Sequence, residues 1–351
     1  MGFARWFRLG LGLLLVVAAL WVLLSRLDVI WNGHPAYPTT LLIAVGAGLT
    51  LIAFAFLPWR LEQEPDGPPW EVDNAVPGAT PAPISTPAPT PAPPPPPTPA
   101  PKPVRRRRRW RVAGRVVVTI LVVGLVGVLA WLRPFPAGPD AIAAMSSDNA
   151  VTVTDNPTTI VLTPRVLATP TVGLVFSPGA RVDSRAYVDL LRPAAAAGSL
   201  VVILKEPYGL AIIQPGQSGG PIADHPEIAT WAVGGHSLGG TAAALFAGDN
   251  LNFVKGLLLW ASYPSNDLST ASALQVLSIS GSNDLLATPA DIEASKNKLP
   301  PQTTFVQIDG GVHAFFGDYG EQPGDGQPEI DRATASAQIS AATAKFLRGL
   351  P

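Results

Sequence analysis

Gly234-Gly235-His236-Ser237-Leu238-Gly239-Gly240 decides how the second half of this chain folds. It carries Gly-x-Ser-x-Gly between an apolar, β-prone run (Thr230 to Val233) and an Ala-rich, helix-prone one (Thr241 to Ala247). In that strand–turn–helix setting the motif reads as a nucleophile elbow, a tight turn that lifts a serine hydroxyl above a sheet. Small residues on both sides let strand and helix approach closely. The five-residue pattern is common by chance, so its meaning depends on what surrounds it.

Around the elbow, short β-rich runs alternate with amphipathic or Ala-rich segments. Strands are expected at Val151–Thr154, Thr159–Leu162, Val172–Phe176, Leu200–Leu204, Trp231–Val233, Gly256–Trp260, Val276–Ser280 and Thr304–Ile308. Helices are expected at Ser184–Ala197, Leu238–Ala247, Pro289–Lys298 and Asp331–Arg348. Most of the strand runs are continuously apolar, as in parallel strands buried on both faces. Strands separated by helices imply a parallel α/β sheet with right-handed crossovers.

The first part of the chain has a different composition. Residues 1–133 hold 13 Lys/Arg against 6 Asp/Glu, and the remaining 218 residues hold 11 against 19, so the net charge of −1 hides halves of opposite sign. The acidic half argues against nucleic acid as a partner. Three runs without a charged residue, Leu9–Leu24, Thr39–Leu57 and Val116–Leu132, approach the length of about 20 residues that crosses a bilayer. Trp6, Trp21, Trp59, Trp110 and Trp131 stand at their edges, where aromatic belts form. A signal peptide is the alternative for the first run.

Arg5 and Arg8 precede the first run, whereas Arg60, Lys102, Arg105–Arg109, Arg111 and Arg115 lie between the second and third. The positive-inside rule therefore expects a multi-pass protein of the cytoplasmic membrane. Its N-terminus and long linker would be cytoplasmic, and everything after Leu132 extracytoplasmic. The expected division is 1–63 for two spans, 64–104 for a linker, 105–133 for a polybasic segment and third span, and 149–351 for the α/β domain. The linker holds seventeen prolines between Pro65 and Pro103, a composition that favours extended, stiff polyproline II. An SH3-like or WW-like partner is the rarer use of such a run, and a spacer the commoner one. The arginine cluster reads as a topogenic anchor that also meets lipid headgroups.

A serine nucleophile needs a base, itself oriented by a third group. Of four histidines, His34 lies between the first two spans, His225 in a polar connection, and His236 beside the nucleophile, where neighbouring side chains diverge. His313 follows the last strand run, at the kind of strand end where α/β sheets place their chemistry. It is the expected base. Asp284 follows the run ending at Ser280 and is the expected orienting acid; Asp309 and Asp267 are the alternatives. The order Ser237, Asp284, His313 is that of α/β-hydrolases. An oxyanion hole requires two N–H donors. Leu238, next after the nucleophile, is one, and Ala180 in Ser177-Pro178-Gly179-Ala180-Arg181 is the other. Arg181 either binds an anionic substrate group or, more commonly for such a residue, pairs with an acid such as Asp183.

Residues 171 to about 330 resemble the α/β-hydrolase superfamily, and within it a bacterial family related to the dienelactone hydrolases. The resemblance is carried by Pro178–Tyr187, the elbow, Ser280–Asp284, His313–Gly320 and Gln322-Pro323-Gly324-Asp325-Gly326. It implies the α/β-hydrolase fold, a mostly parallel sheet flanked by helices, with Ser237, Asp284 and His313 as triad. Ser177-Pro178-Gly179 departs from the His-Gly frequent at the oxyanion loop. The short stretch between Trp260 and Asp284 leaves no room for a large helical cap. Tyr208, Leu210, Tyr263, Phe315, Phe316 and Tyr319 are either cleft-lining or packing residues.

No metal-ligand spacing and no phosphate-binding Gly loop is present, so neither metal nor cofactor is expected. The reading is a membrane-anchored serine hydrolase, preceded by three transmembrane helices, that acts on small ester-like carbonyl substrates, with carboxylic esters first. The alternative is a catalytically silent, membrane-tethered binding or scaffold module on the same fold.

Overall fold

The computed structural model describes residues 2–57, 104–165 and 170–351. All but the last residue of the expected linker at 64–104 lies outside these. Ten α-helices are described: α1 (Gly2–Ser25), α2 (Leu27–Asn32), α3 (Ala36–Phe56), α4 (Val104–Trp131), α5 (Pro139–Ala143), α6 (Val188–Ala196), α7 (Gly219–Asp224), α8 (Leu238–Asp249), α9 (Pro289–Ser295) and α10 (Arg332–Arg348).

Three segments are long and apolar enough to cross a membrane: Ala4–Ser25, Ala36–Phe56 and Val112–Trp131. Their lipid-type side chains, such as Leu42, Ile43, Ile120 and Leu121, point outward, as an apolar solvent allows. Helices α1 and α3 touch at glycines. A Cβ on Gly12 would lie 2.6 Å from the Gly48 carbonyl, so only a hydrogen there lets the backbones meet.

Eight strands form one sheet in the order β1-β2-β4-β3-β5-β6-β7-β8. They are β1 (Val151–Asp155), β2 (Thr159–Pro164), β3 (Val172–Ser177), β4 (Leu200–Leu204), β5 (Thr230–His236), β6 (Val254–Trp260), β7 (Gln275–Gly281) and β8 (Thr304–Ile308). Each expected strand is found within a few residues of its expected bounds. From β4 onward across the sheet every pair is parallel. The sheet is thus mostly parallel, as expected, and its antiparallel part is the first two strands: β1 pairs antiparallel with β2, and β2 with β4. Only residues 156–158 join β1 to β2, too few for the crossover that a parallel pair needs.

Strand alternation divides the core in two. Leu174, Phe176, Ala232, Leu258 and Trp260 face α6 and α10, whereas Val175, Val233, Leu257 and Leu259 face α8. The expected helix Ser184–Ala197 is a 3-10 turn, Ser184–Tyr187, followed by α6. Residues 261–274 form turns, so no helical cap stands between β6 and β7.

Trp260 is fully buried, packs against Phe176 at 4.7 Å between ring centroids, and donates its indole N–H to Thr343 Oγ1 at 3.1 Å. Trp260→Ala should destabilise the domain by about 3–5 kcal/mol, read as a lowered denaturation midpoint of detergent-solubilised protein. An unchanged midpoint would show that this layer does not hold the sheet.

Candidate active site

All the expected site residues stand at the carboxyl edge of the sheet. Ser237 follows β5 and caps α8, with φ 53 and ψ −124, a conformation that L-residues seldom adopt. The turn is possible because Gly235 and Gly239, two residues to either side, lack side chains: a Cβ on Gly239 would collide with the carbonyls of Ser177 and Pro178. Ser237 N–H donates to the Trp260 carbonyl at 2.9 Å, and Ser262 Oγ–H donates to the Ser237 carbonyl at 2.7 Å. The elbow is thus tied to the end of β6.

His313 begins a 3-10 turn beyond β8, and its Nδ1 lies 2.8 Å from Asp284 Oδ2. Asp284 is fully buried. Its Oδ1 accepts the Leu286 and Ala287 N–H groups, each at 2.8 Å, which fixes the carboxylate's orientation. His313 Nε2 is buried and has no hydrogen-bond partner among the described residues. With the Nδ1 proton held by Asp284, that nitrogen is the basic one. The alternative acids are engaged elsewhere: Asp309 accepts from Gln307, and Asp267 from the Ser269 N–H. His225 pairs with Glu227 at the surface.

The two expected oxyanion donors are open. Neither Leu238 N–H, at the first turn of α8, nor Ala180 N–H donates to any protein acceptor among the described residues. Gly179 N–H is occupied, donating to Tyr187 Oη at 2.8 Å. Arg181 does not pair with Asp183, as its sequence position suggested. Arg185 takes Asp183 by a forked contact, at 2.7–3.1 Å. Arg181 instead lies over the rings of Trp131 and Phe135 and donates to the Trp131 carbonyl.

Several positioning residues escaped the sequence reading. His236 is fully buried, and its ring centroid lies 4.5 Å from that of His313. Tyr187 Oη lies 2.9 Å from His236 Nδ1. That hydroxyl also accepts from the Gly179 N–H, so Tyr187 links the His236 ring to the oxyanion loop. Burial, with His313 as a like-charged neighbour, holds His236 well below the ordinary histidine pKa. A neutral ring there does not oppose a positive charge on His313. Asp325 accepts the N–H groups of His313 (3.1 Å) and Ala314 (2.8 Å), pinning the turn that carries the histidine. The quoted motifs around Tyr187 and Asp325 were the available signal, but their partners are distant in sequence. Phe315, Phe316 and Tyr319 are buried packing residues, and Tyr208 packs against Tyr37.

Glu206, just beyond β4, is only 4 % exposed, and burial pushes its carboxyl up to about 7, against an opposing hydrogen bond from Ser177. A raised carboxyl favours the folded state less as it ionises. Stability should therefore fall as pH rises from about 4.5 to about 7. Glu206→Gln should flatten that slope in the thermal midpoint of solubilised protein; an unaltered slope would assign it to other groups.

Residues 173–337 match the model of the alpha/beta hydrolase family. Among solved structures, a CIB-like hydrolase from Thermoplasma acidophilum is 16 % identical, covering 57 % of this chain and 99 % of its own, with a TM-score of 0.43. A dienelactone hydrolase from Anabaena variabilis is 17 % identical, covering 55 % and 91 %, with a TM-score of 0.40. No curated protein matches the sequence. Residues 173–337, which match that family's model, lie in a domain with the α/β-hydrolase fold, a mostly parallel eight-stranded sheet with helices on both faces.

Proposed function

We propose that the protein is a membrane-anchored serine hydrolase, with carboxylic esters as its first substrate class. The observation that carries this reading is the buried His313 Nε2, left without a partner while Asp284 holds the opposite face of the ring. In the proposed reaction Ser237 Oγ attacks the ester carbonyl and His313 Nε2 takes its proton. The N–H groups of Leu238 and Ala180 bear the oxyanion. The His313 proton passes to the leaving alcohol, and the same nitrogen then activates water against the acyl-enzyme.

The membrane reading rests on the three apolar helices and the charge asymmetry. An odd number of spans puts the α1–α3 connection and the hydrolase domain on one side and the linker on the other. Arg-rich flanks assign the linker to the cytoplasm, so the domain is extracytoplasmic. A phosphatase fused after Arg133 should then be active, and an inactive fusion would reverse the orientation.

A fluorophosphonate probe should label Ser237 in the folded protein, and Ser237→Ala should abolish labelling. His313→Ala should lower turnover of a p-nitrophenyl ester by about 10³-fold or more, whereas His225→Ala should not change it. Absence of labelling in folded protein would instead favour the silent scaffold.

A further inference from the structure

A cavity lies where the membrane helices meet the hydrolase domain, and it has the oxyanion loop as one wall. The membrane side contributes Tyr37 at the start of α3 and His34 before it. The domain side contributes Pro178, Arg181, Glu206 and Tyr208. The loop that supplies Pro178 and Arg181 also carries Ala180, and its Pro178 carbonyl lies against Gly239 of the elbow. One loop therefore lines both the cavity and the candidate catalytic centre.

Three of the residues lining this cavity each carry a buried polar atom without a partner among the described residues: Tyr37 Oη, Arg181 Nε and Glu206 Oε2. Tyr37 is 5 % exposed and Glu206 4 %. Buried polar atoms left unpaired are costly, so such a cluster points to a group that completes it. The set is two N–H or O–H donors and one carboxyl oxygen. A group that both donates and accepts satisfies it, and an aliphatic hydroxyl does so whether the carboxyl is ionised or protonated. A carbonyl or phosphate oxygen offers nothing to the ionised carboxylate, and an ammonium offers nothing to the two donors.

Position narrows the source. The cavity stands at the level where α1 ends (Ser25), α3 begins (Ala36) and α4 ends (Trp131), the level of the lipid headgroups if these helices span a bilayer. Around it the two parts are locked together. Asp28 Oδ2 accepts from Arg185 at 2.6 Å, Thr40 Oγ1 and Tyr208 Oη are 2.8 Å apart, and Arg26 Nε donates to the Pro134 carbonyl at 3.0 Å.

We propose that this cavity takes a hydroxyl of the glycerol head of a membrane lipid ester, holding its acyl ester at the oxyanion loop. The inference rests on the hydrolase reading and adds the substrate class. The acyl chain would remain among lipid tails while the hydroxyl of the head reaches Tyr37, Arg181 and Glu206. Ser237 would then cleave the ester bond, releasing the polyol head as alcohol and the acyl group as acid.

The test uses the full-length protein in nanodiscs or mixed micelles. A 1-monoacylglycerol and the methyl ester of the same acid are compared by kcat/KM. The wild type should prefer the glycerol ester by about tenfold or more, and Glu206→Gln and Tyr37→Phe should each lower that preference by about five- to tenfold. The two substitutions lie on opposite walls, so misfolding of one variant still leaves a reading from the other. No preference in the wild type, or full preference in both variants, would overturn the proposal. Equal efficiency on a water-soluble glyceryl monoester would overturn the lipid source. If Ser237 is not labelled by the fluorophosphonate, a non-hydrolysable alkyl glycerol ether is titrated against the alkyl methyl ether. Tighter binding of the glycerol ether, lost in Glu206→Gln, would uphold the site while the hydrolase reading fails; equal binding would overturn the site too.

Discussion

The backbone at Ser237 is the constraint on which the rest of the domain depends. Its φ of 53 and ψ of −124 cost on the order of 1–3 kcal/mol, and only tight surroundings retain such a conformation. Here the retention comes from β6, through the Trp260 carbonyl on the Ser237 N–H, and from glycines that let α8 press against β3 and β5. The same turn frees the Leu238 N–H and aims the positive end of the α8 dipole across the elbow. Three other non-glycine residues have positive φ: Arg181, Tyr208 and Ala261. They follow β3, β4 and β6, so the strain among the described residues gathers at one edge of the sheet.

Support for that edge comes from two directions. From within the domain, Asp284 and Asp325 fix the ring and the turn of His313, while Tyr187 ties buried His236 to Gly179 in the oxyanion loop. From the membrane helices, Trp131 and Phe135 flank Arg181, whose own N–H donates to the Gly209 carbonyl. Ala180 sits between these two braces. The placement of its N–H therefore depends both on packing under His313 and on the end of α4.

Much of this was legible in the sequence because it follows local rules. Buried parallel strands read as continuous apolar runs, and most of the strands were visible that way. The Gly-x-Ser-x-Gly turn is specified by its own glycines. Asp284 and His313 were visible because strand ends carry the chemistry in α/β sheets, and the structure places them 2.8 Å apart. What escaped depends on residues brought together from far along the chain. The sequence places His236 next to Ser237, and nothing local shows that it lies under His313. Asp183 looked like the natural partner of Arg181, two residues away. Positive φ at Arg181 turns that side chain toward Trp131 and leaves Asp183 to Arg185. Short segments such as α2 and α5 carry too few residues for a periodic signal.

The three long apolar helices and the α/β domain are joined in the way that the proposed three crossings require. With three crossings, the connection between α1 and α3 must share a side with the chain that follows α4. That is where the contacts occur: Asp28 with Arg185, Thr40 with Tyr208, Arg133 with Ser25. Removal of α1 would leave α2 and Asp28 on the chain but take away the helix packed against α3 at Gly12 and Gly48 and the Ser25 hydroxyl that meets Arg133. The first helix thus has a structural duty beyond insertion. Its last residue, Ser25, accepts from Arg133 just beyond α4, and α2, which follows it, carries Asp28 to Arg185.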